Sequence, residues 1–214
     1  MAYPAYSRAE RIADGTVHVL GVSTALGAVF ALFTLGAERM TAAHLYTATL
    51  IYAAALIIML SASAAYHILA DTAARPVLRR LDHAAIYVKI AGTATPLCVL
   101  LDTAFGYLML TAMWVLALFG AAAKLRARRG RMTTGWLPYV ALGWIGVLLF
   151  IPLMAVLPAK SLWMILAGGL IYTSGVVFYA WEGLRFGNAI WHLFVLVATA
   201  CFFLGISESI AAPL

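Results

Sequence analysis

Charge is scarce in this chain. Of its 214 residues, 10% are Asp, Glu, Lys or Arg and 65% are hydrophobic, and the mean hydropathy is +0.99. A soluble domain carries about 25% charged and roughly 45–50% apolar residues. The deficit excludes a single water-soluble core and puts most of the chain in lipid. Cysteine is scarce too: Cys98 and Cys201 each stand inside an apolar run. Two thiols without metal-ligand spacing make no disulfide framework and no thiolate site, so both read as small core residues. There is no internal repeat, low-complexity linker, amphipathic hairpin or continuous polar stripe, and so no direct sign of a pore. A cleavable signal is not evident, because residues 1–11 are polar and charged and the apolar run behind them is too long for a signal core. Insertion then falls to the spans themselves. Length and continuity indicate one domain, residues 1–214.

What the chain does have is long apolar runs. A spanning helix needs ~20 mostly apolar residues, and seven stretches qualify: about 16–35, 45–67, 82–101, 106–123, 136–157, 163–181 and 189–207. Punctuation supports the divisions, with Pro76 before the third, Gly106 opening the fourth, Pro158 closing the fifth and Gly187 before the seventh. Pro96 falls within the third and Pro138 and Pro152 within the fifth, where neighbouring helices must re-satisfy the backbone. Gly168, Gly169 and Gly175 predict close packing of the sixth. The expected fold is all-α, a seven-transmembrane helix bundle.

The net charge of +6 does not indicate nucleic acid. The basic residues sit in short gaps between apolar runs, the pattern of membrane loops, and anionic lipid is the expected partner. Eleven of the fourteen fall on one side: Arg8, Arg11, Arg75, Arg79, Arg80, Lys124, Arg126, Arg128, Arg129, Arg131 and Arg185. The other side has Arg39 and Lys160, and Lys89 lies within the third span. The positive-inside rule gives a cytoplasmic N-terminus and an external C-terminus, in an inner or plasma membrane crossed several times.

This topology gathers the unusual polar residues at one leaflet. Asp14 and His18 stand at the entry of the first span, and Ser63 and His67 at the exit of the second. Asp82 and His83 open the third, and Asn188 and His192 open the seventh. Three of the four pairs are spaced i, i+4, on one helix face. Each has a plain structural use: Asp14 or Asp82 near a helix N-terminus, His192 as an interfacial anchor beside Trp191, His67 satisfied by water. Together on one leaflet they point to a shared polar site, whereas the opposite side has one histidine, His44, in a loop.

Imidazoles from separate helices plus a carboxylate suit a catalytic zinc site, which takes three protein ligands and leaves one position for water. Zinc lowers the pKa of that water to about 7. Asp82 is positioned to orient it or take its proton, and Ser63 either donates to an oxyanion or bonds the preceding helical turn. Lys89 within a span fits an ion path, a snorkelling side chain or a buried acid pair.

Ser63-Ala-Ala-Tyr-His67, Leu81-Asp-His-Ala-Ala-Ile-Tyr87 with Ala91-Gly-Thr-Ala-Thr-Pro96, and Ala189-Ile-Trp-His-Leu-Phe-Val195 resemble the hemolysin III family, grouped with the progestin and adipoQ receptors. Glu10, Asp14 and His18 resemble its opening motif, although Asn is more usual where Asp14 stands. The resemblance covers essentially the whole chain. It implies seven helices and zinc held near the cytoplasmic leaflet by histidines at the positions of His67, Asn188 and His192. An aspartate at the position of Asp82 orients water, with a serine at the position of Ser63. Asn188 is a departure, since an amide is a weak zinc ligand beside imidazole. It is expected to weaken zinc binding.

Two classes of function follow. A zinc-dependent intramembrane hydrolase of a lipid, such as a lipid amide, rests on Ser63, His67, Asp82 and His192. A non-catalytic lipid or stress sensor is the alternative that Asn188 favours, and a membrane-perturbing protein is the one the family name implies.

Overall fold

In the computed structural model, which describes residues 6–36, 38, 40, 42–127 and 135–211, the first helix starts from a capping box. The Ser7 hydroxyl accepts the Glu10 N–H, and Glu10 Oε2 accepts the Ser7 N–H at 2.9 Å. The signature Ser7-x-x-Glu10 is plain in the sequence. From there α1 runs Arg8–Leu35, α2 Ala43–Ile68, α3 Arg75–Leu101 and α4 Ala104–Arg126. A broken segment follows: α5 (Leu137–Ile145), a 3-10 turn (Gly146–Leu149) and α6 (Phe150–Leu153). Then come α7 (Ala159–Ala180) and α8 (Gly187–Ala211), with no strand among the described residues. Arg39, Arg128, Arg129 and Arg131, part of the charge pattern above, lie outside the described residues.

Six helices, α1, α2, α3, α4, α7 and α8, are long and apolar enough to cross a bilayer. The chain is therefore an all-helical multi-pass membrane protein. Within the expected fifth span, 136–157, the apolar helical stretch is the shorter Leu137–Leu153, which changes winding at Gly146–Leu149. Pro152 has no N–H to donate one turn back and crowds that turn, and glycines 143 and 146 weaken helix locally. Pro158 does not close this span but stands at the N-cap of α7, where its missing N–H costs nothing. Pro76 lies within the first turn of α3, which begins seven residues ahead of the expected 82. An apolar window excludes Arg75, Arg79 and Arg80, but a helix extends through them. His44 sits in the first turn of α2 rather than in a loop.

α3 is the most enclosed helix, touching α2, α4, α5, α6 and α8, while α1 packs on α2 and α8, and α7 on α8. Small residues set the approach. A Cβ on Gly92 would lie 2.6 Å from the Ala55 Cβ of α2, and one on Gly175 would lie 2.7 Å from the Phe194 Cβ of α8, so neither position admits a side chain. Gly168 likewise faces Phe202, but Gly169 meets nothing within 4 Å and takes no part in that packing. Lys89 is 4% exposed, its Nζ 5.0 Å from the ring centre of Tyr172 and 5.2 Å from that of Phe202. The aromatic faces hold the cation inside the bundle; it does not snorkel.

Two ends are distinguishable. At one, Arg11 pairs with Asp71 beyond α2, Glu10 Oε1 accepts the Phe186 N–H ahead of α8 at 3.0 Å, and Arg80 of α3 reaches the Leu125 carbonyl of α4. At the other, Lys160 of α7 pairs with Glu208 of α8 at 3.0 Å. After α4 the chain is at the first end and before α7 at the second, so the broken segment runs between them.

Candidate metal centre

The capping box and the Glu10–Phe186 hydrogen bond fix the start of α1 against the turn that leads into α8. Phe186 itself holds a left-handed conformation, φ 60°, which turns its N–H toward Glu10. With α1 so placed, Asp14 and His18 face inward, each 6% exposed. The last turn of α2 supplies His67 and the second turn of α8 supplies His192. Each residue of the set Asp14, His18, His67 and His192 offers a ligand atom, all within 4.8 Å of one another. Three helices thus bring three imidazoles and one carboxylate to a point near the end of the bundle that carries most of the basic residues.

The Asp14 carboxylate lies between two rings. Its Oδ1 is 2.7 Å from His192 Nδ1, and its Oδ2 is 2.9 Å from His67 Nδ1. Both rings thus turn Nδ1 to the same carboxylate. His18, His67 and His192 stand ring to ring, with centroids 4.3 to 4.9 Å apart. Buried polar groups normally find partners. Three packed imidazoles around one carboxylate form a set of N and O donors, a chemistry that fits a divalent metal.

His18 is held differently. Its Nδ1 is 2.8 Å from the Asp14 backbone carbonyl, which can only accept, so Nδ1 carries the hydrogen. Its Nε2 is 3.2 Å from the Ser63 hydroxyl of α2. Both nitrogens are engaged, whereas His67 and His192 turn Nδ1 to the carboxylate.

The remaining expected residues fall around this group. Asp82 is buried, but its Oδ2 pairs with His83 Nδ1 at 3.1 Å and it stands outside the donor set. Tyr66 packs edge-on against both His67 and His83. Asn188 lines a recess at the bundle end together with Tyr6, Glu10, Asp14 and His67, and its side chain hydrogen-bonds with Tyr6. Burial raises the Tyr6 hydroxyl above its ordinary pKa, so it remains a neutral phenol there. Asp14 and His18, read from sequence as accompanying polar residues, are instead at the centre. Their i, i+4 spacing and the carboxylate where the resembled family more often has Asn were the available signals. A second recess, lined by Val17, Met59, Leu60 and Val195 with His18, Ser63 and His192, opens on the other side of the imidazoles.

The sequence agrees with the architecture. The family model described as "Haemolysin-III related" matches residues 7–203. The protein named Hemolysin-3 of Bacillus cereus is 32% identical over 195 residues, covering 91% of this chain and 89% of the relative. A Hemolysin-3 homolog of Bacillus subtilis (strain 168) is also 32% identical over 195 residues, 91% of each chain. The match takes in α1, α2, α3 and the part of α8 that carries every residue of the donor set. The chain belongs to the haemolysin-III-related family.

Proposed function

We propose that this protein is a zinc-dependent hydrolase embedded in the membrane, acting on a lipid ester or amide. The observation that carries the reading is the donor set itself: His67, His192 and Asp14 converge from three helices, with both Nδ1 atoms within 2.9 Å of the Asp14 carboxylate. Three such ligands are the number a catalytic zinc site uses, leaving a position open. A bound zinc supplies Lewis acidity and lowers the pKa of a water molecule to about 7. The protein's own contribution is positional. Asp14 neutralises the cation and orients both histidines. His18 and Ser63 form a hydrogen-bonded pair beside the open side. Asp82 pairs with His83, whose ring packs edge-on against Tyr66. The recess at Asn188 admits water, and the one at Met59 and Val195 has a mostly apolar lining.

The same reading places the site in the cytoplasmic half of the bilayer. Eight basic residues of the described chain, Arg8, Arg11, Arg75, Arg79, Arg80, Lys124, Arg126 and Arg185, occur at the helix ends or turns beside the site, against Lys160 at the far end. The broken segment then makes the seventh crossing, from the cytoplasmic side outward. A reporter fused after Ala127 should read cytoplasmic and one at the C-terminus external. A cytoplasmic C-terminus would mean an even number of crossings and would remove this topology.

The test of function begins with metal. Purified protein dialysed against dilute chelator is expected to retain a single zinc per chain. A panel of lipid amides and esters in mixed micelles should then release fatty acid in a reaction stopped by strong chelation and restored by zinc. Zinc without turnover of any lipid would make the metal structural. No retained metal would sink the hydrolase and leave a non-catalytic sensor.

A further inference from the structure

Three uses are open to a lysine within a span: it snorkels, pairs with an acid, or stands on an ion path. The structure removes the first two for Lys89. Its side chain is 4% exposed, and the ion pairs among the described residues all lie elsewhere. Asp82, the one carboxylate of α3, stands two turns away, about 10 Å along the axis, and pairs with His83. What faces Nζ is the Tyr172 ring of α7 and the Phe202 ring of α8, at 5.0 and 5.2 Å. The titratable groups that α2, α5 and α7 add to this interior are phenols, Tyr52, Tyr139 and Tyr172, whereas Lys124 of α4 and the rings of His67 and His192 sit at the end beside the metal centre.

Hydroxyls within helices usually bond the carbonyl four residues back, as those of Thr49, Thr93, Thr95 and Ser209 do at 2.8 Å. Ser161, Thr199 and Ser207 do not. Their hydroxyl oxygens, with that of Tyr52, are buried without a hydrogen-bond partner among the described residues. All four adjoin one stretch of α8. Thr199 and Ser207 belong to it, and Tyr52 packs on Phe203 with ring centres 6.4 Å apart. A Cβ on Gly205 would lie 3.0 Å from the Ser161 carbonyl. Lys89 meets the same stretch at Phe202. From Thr199 to Ser207 it rises about 12 Å, and it ends beside Glu208, which pairs with Lys160 at the far end of the bundle. In the opposite direction Tyr179 stands seven residues from Tyr172 on one face of α7, and the Trp191 ring packs against both, at 5.2 and 5.7 Å. Buried hydroxyls of this kind are satisfied by ordered water. A file of hydroxyls and water carries a hopping proton and needs no open bore.

We propose that this protein passes protons across the membrane, with Lys89 as the relay inside the bundle and the Thr199–Ser207 stretch of α8 as the outer half of the route. The Lys89 amine takes a proton from water on one side. The ammonium so formed, held between two ring faces, gives a proton to water on the other. The amine is restored and one positive charge has crossed. A fixed cation between aromatic rings turns back metal cations, which cannot hop. No residue of the route belongs to the donor set, so it stands apart from the hydrolase reading.

The experiment uses the full chain in vesicles of phosphatidylcholine and phosphatidylglycerol, loaded with potassium and a trapped pH dye. Valinomycin sets a potential, negative inside, that draws protons in. Vesicles with the protein should acidify faster than protein-free ones, and Lys89→Met, of similar length and without charge, should lose the excess. Tyr52→Phe and Thr199→Val each remove one hydroxyl with little change of shape, and each should slow the flux several-fold. They keep the test decisive should Lys89→Met fail to fold, which circular dichroism reads. Zinc measured on the same vesicles separates this proposal from the metal reading, because Lys89→Met should hold as much zinc as the wild type. Wild-type acidification no faster than in protein-free vesicles, or undiminished flux in the folded Lys89→Met or in both hydroxyl variants, would overturn the proposal. Escape of a trapped neutral dye alongside the protons would overturn it as well, since the protein would then be perturbing the bilayer.

Discussion

Asp14→Asn is expected to lose zinc under the dialysis that leaves the wild-type protein loaded. The change is nearly isosteric and keeps the helix, but it removes the one anion among three imidazoles, 6% exposed and in reach of both His67 and His192. Altering even a residue that only supports a ligand costs 10–100-fold in affinity. Losing a charged ligand outright should cost more than about 100-fold, or about 2.7 kcal/mol. Zinc per protein after matched dialysis measures it, with circular dichroism showing that the helices persist. His67→Ala should behave alike. Wild-type zinc content in Asp14→Asn would show that the carboxylate is a partner of the apo histidines and no ligand, and the three-helix donor set would have to be abandoned.

Asn188→His is expected to do little by itself and much in combination. Asn188 precedes His192 by one turn of α8 and lines the same recess as Asp14 and His67, so an imidazole there enters the same cluster. In the wild-type protein the donors are already complete, and the added ring should change zinc affinity by less than about tenfold, 1.4 kcal/mol. In Asp14→Asn the same ring replaces the lost donor, and affinity should recover by at least about tenfold. The double variant restores the arrangement of the resembled family, which has histidine at 188 and more often Asn at 14. On the proposed reading the carboxylate of α1 stands in for the ligand that Asn188 lacks, and the four-protein comparison decides whether Asn188 weakens zinc binding. The sum is tested by comparing four proteins: wild type, each single variant and the double. Strict additivity, with the double variant as poor as Asp14→Asn, would show that position 188 cannot reach the metal.

The amino-acid sequence by itself determined the class of protein and its parts. Ten per cent charge and repeated apolar runs leave no soluble option, and hydropathy acts locally, so six spans could be placed from composition, although the helices α1 and α3 begin eight and seven residues ahead of their apolar windows. The basic residues are sorted between the two ends for the same reason, since each loop's charge is read one loop at a time. The His67, Asp82 and His192 motifs carried the family resemblance, which the match over residues 7–203 shows. Local pattern failed where two tendencies compete. In the fifth segment apolar character says helix while Pro152 and two glycines oppose it, and the outcome is the winding change at Gly146–Leu149.

Which polar residues meet was beyond any local rule. Asp14 and Asp82 both stand near helix starts with a histidine close in sequence, four residues on for Asp14 and adjacent for Asp82, and that spacing alone does not say which carboxylate meets the other helices. Tertiary structure did: Glu10 anchors α1 to the turn before α8, which turns Asp14 toward His67 and His192, while Asp82 is taken by its neighbour His83. The partner of Ser63 was equally hidden, because a helical hydroxyl can always fall back on its own backbone. Only the packing of α1 against α2 put His18 within 3.2 Å. A side chain buried in lipid takes the partner that the neighbouring helix presents, and sequence records the side chain but not the neighbour.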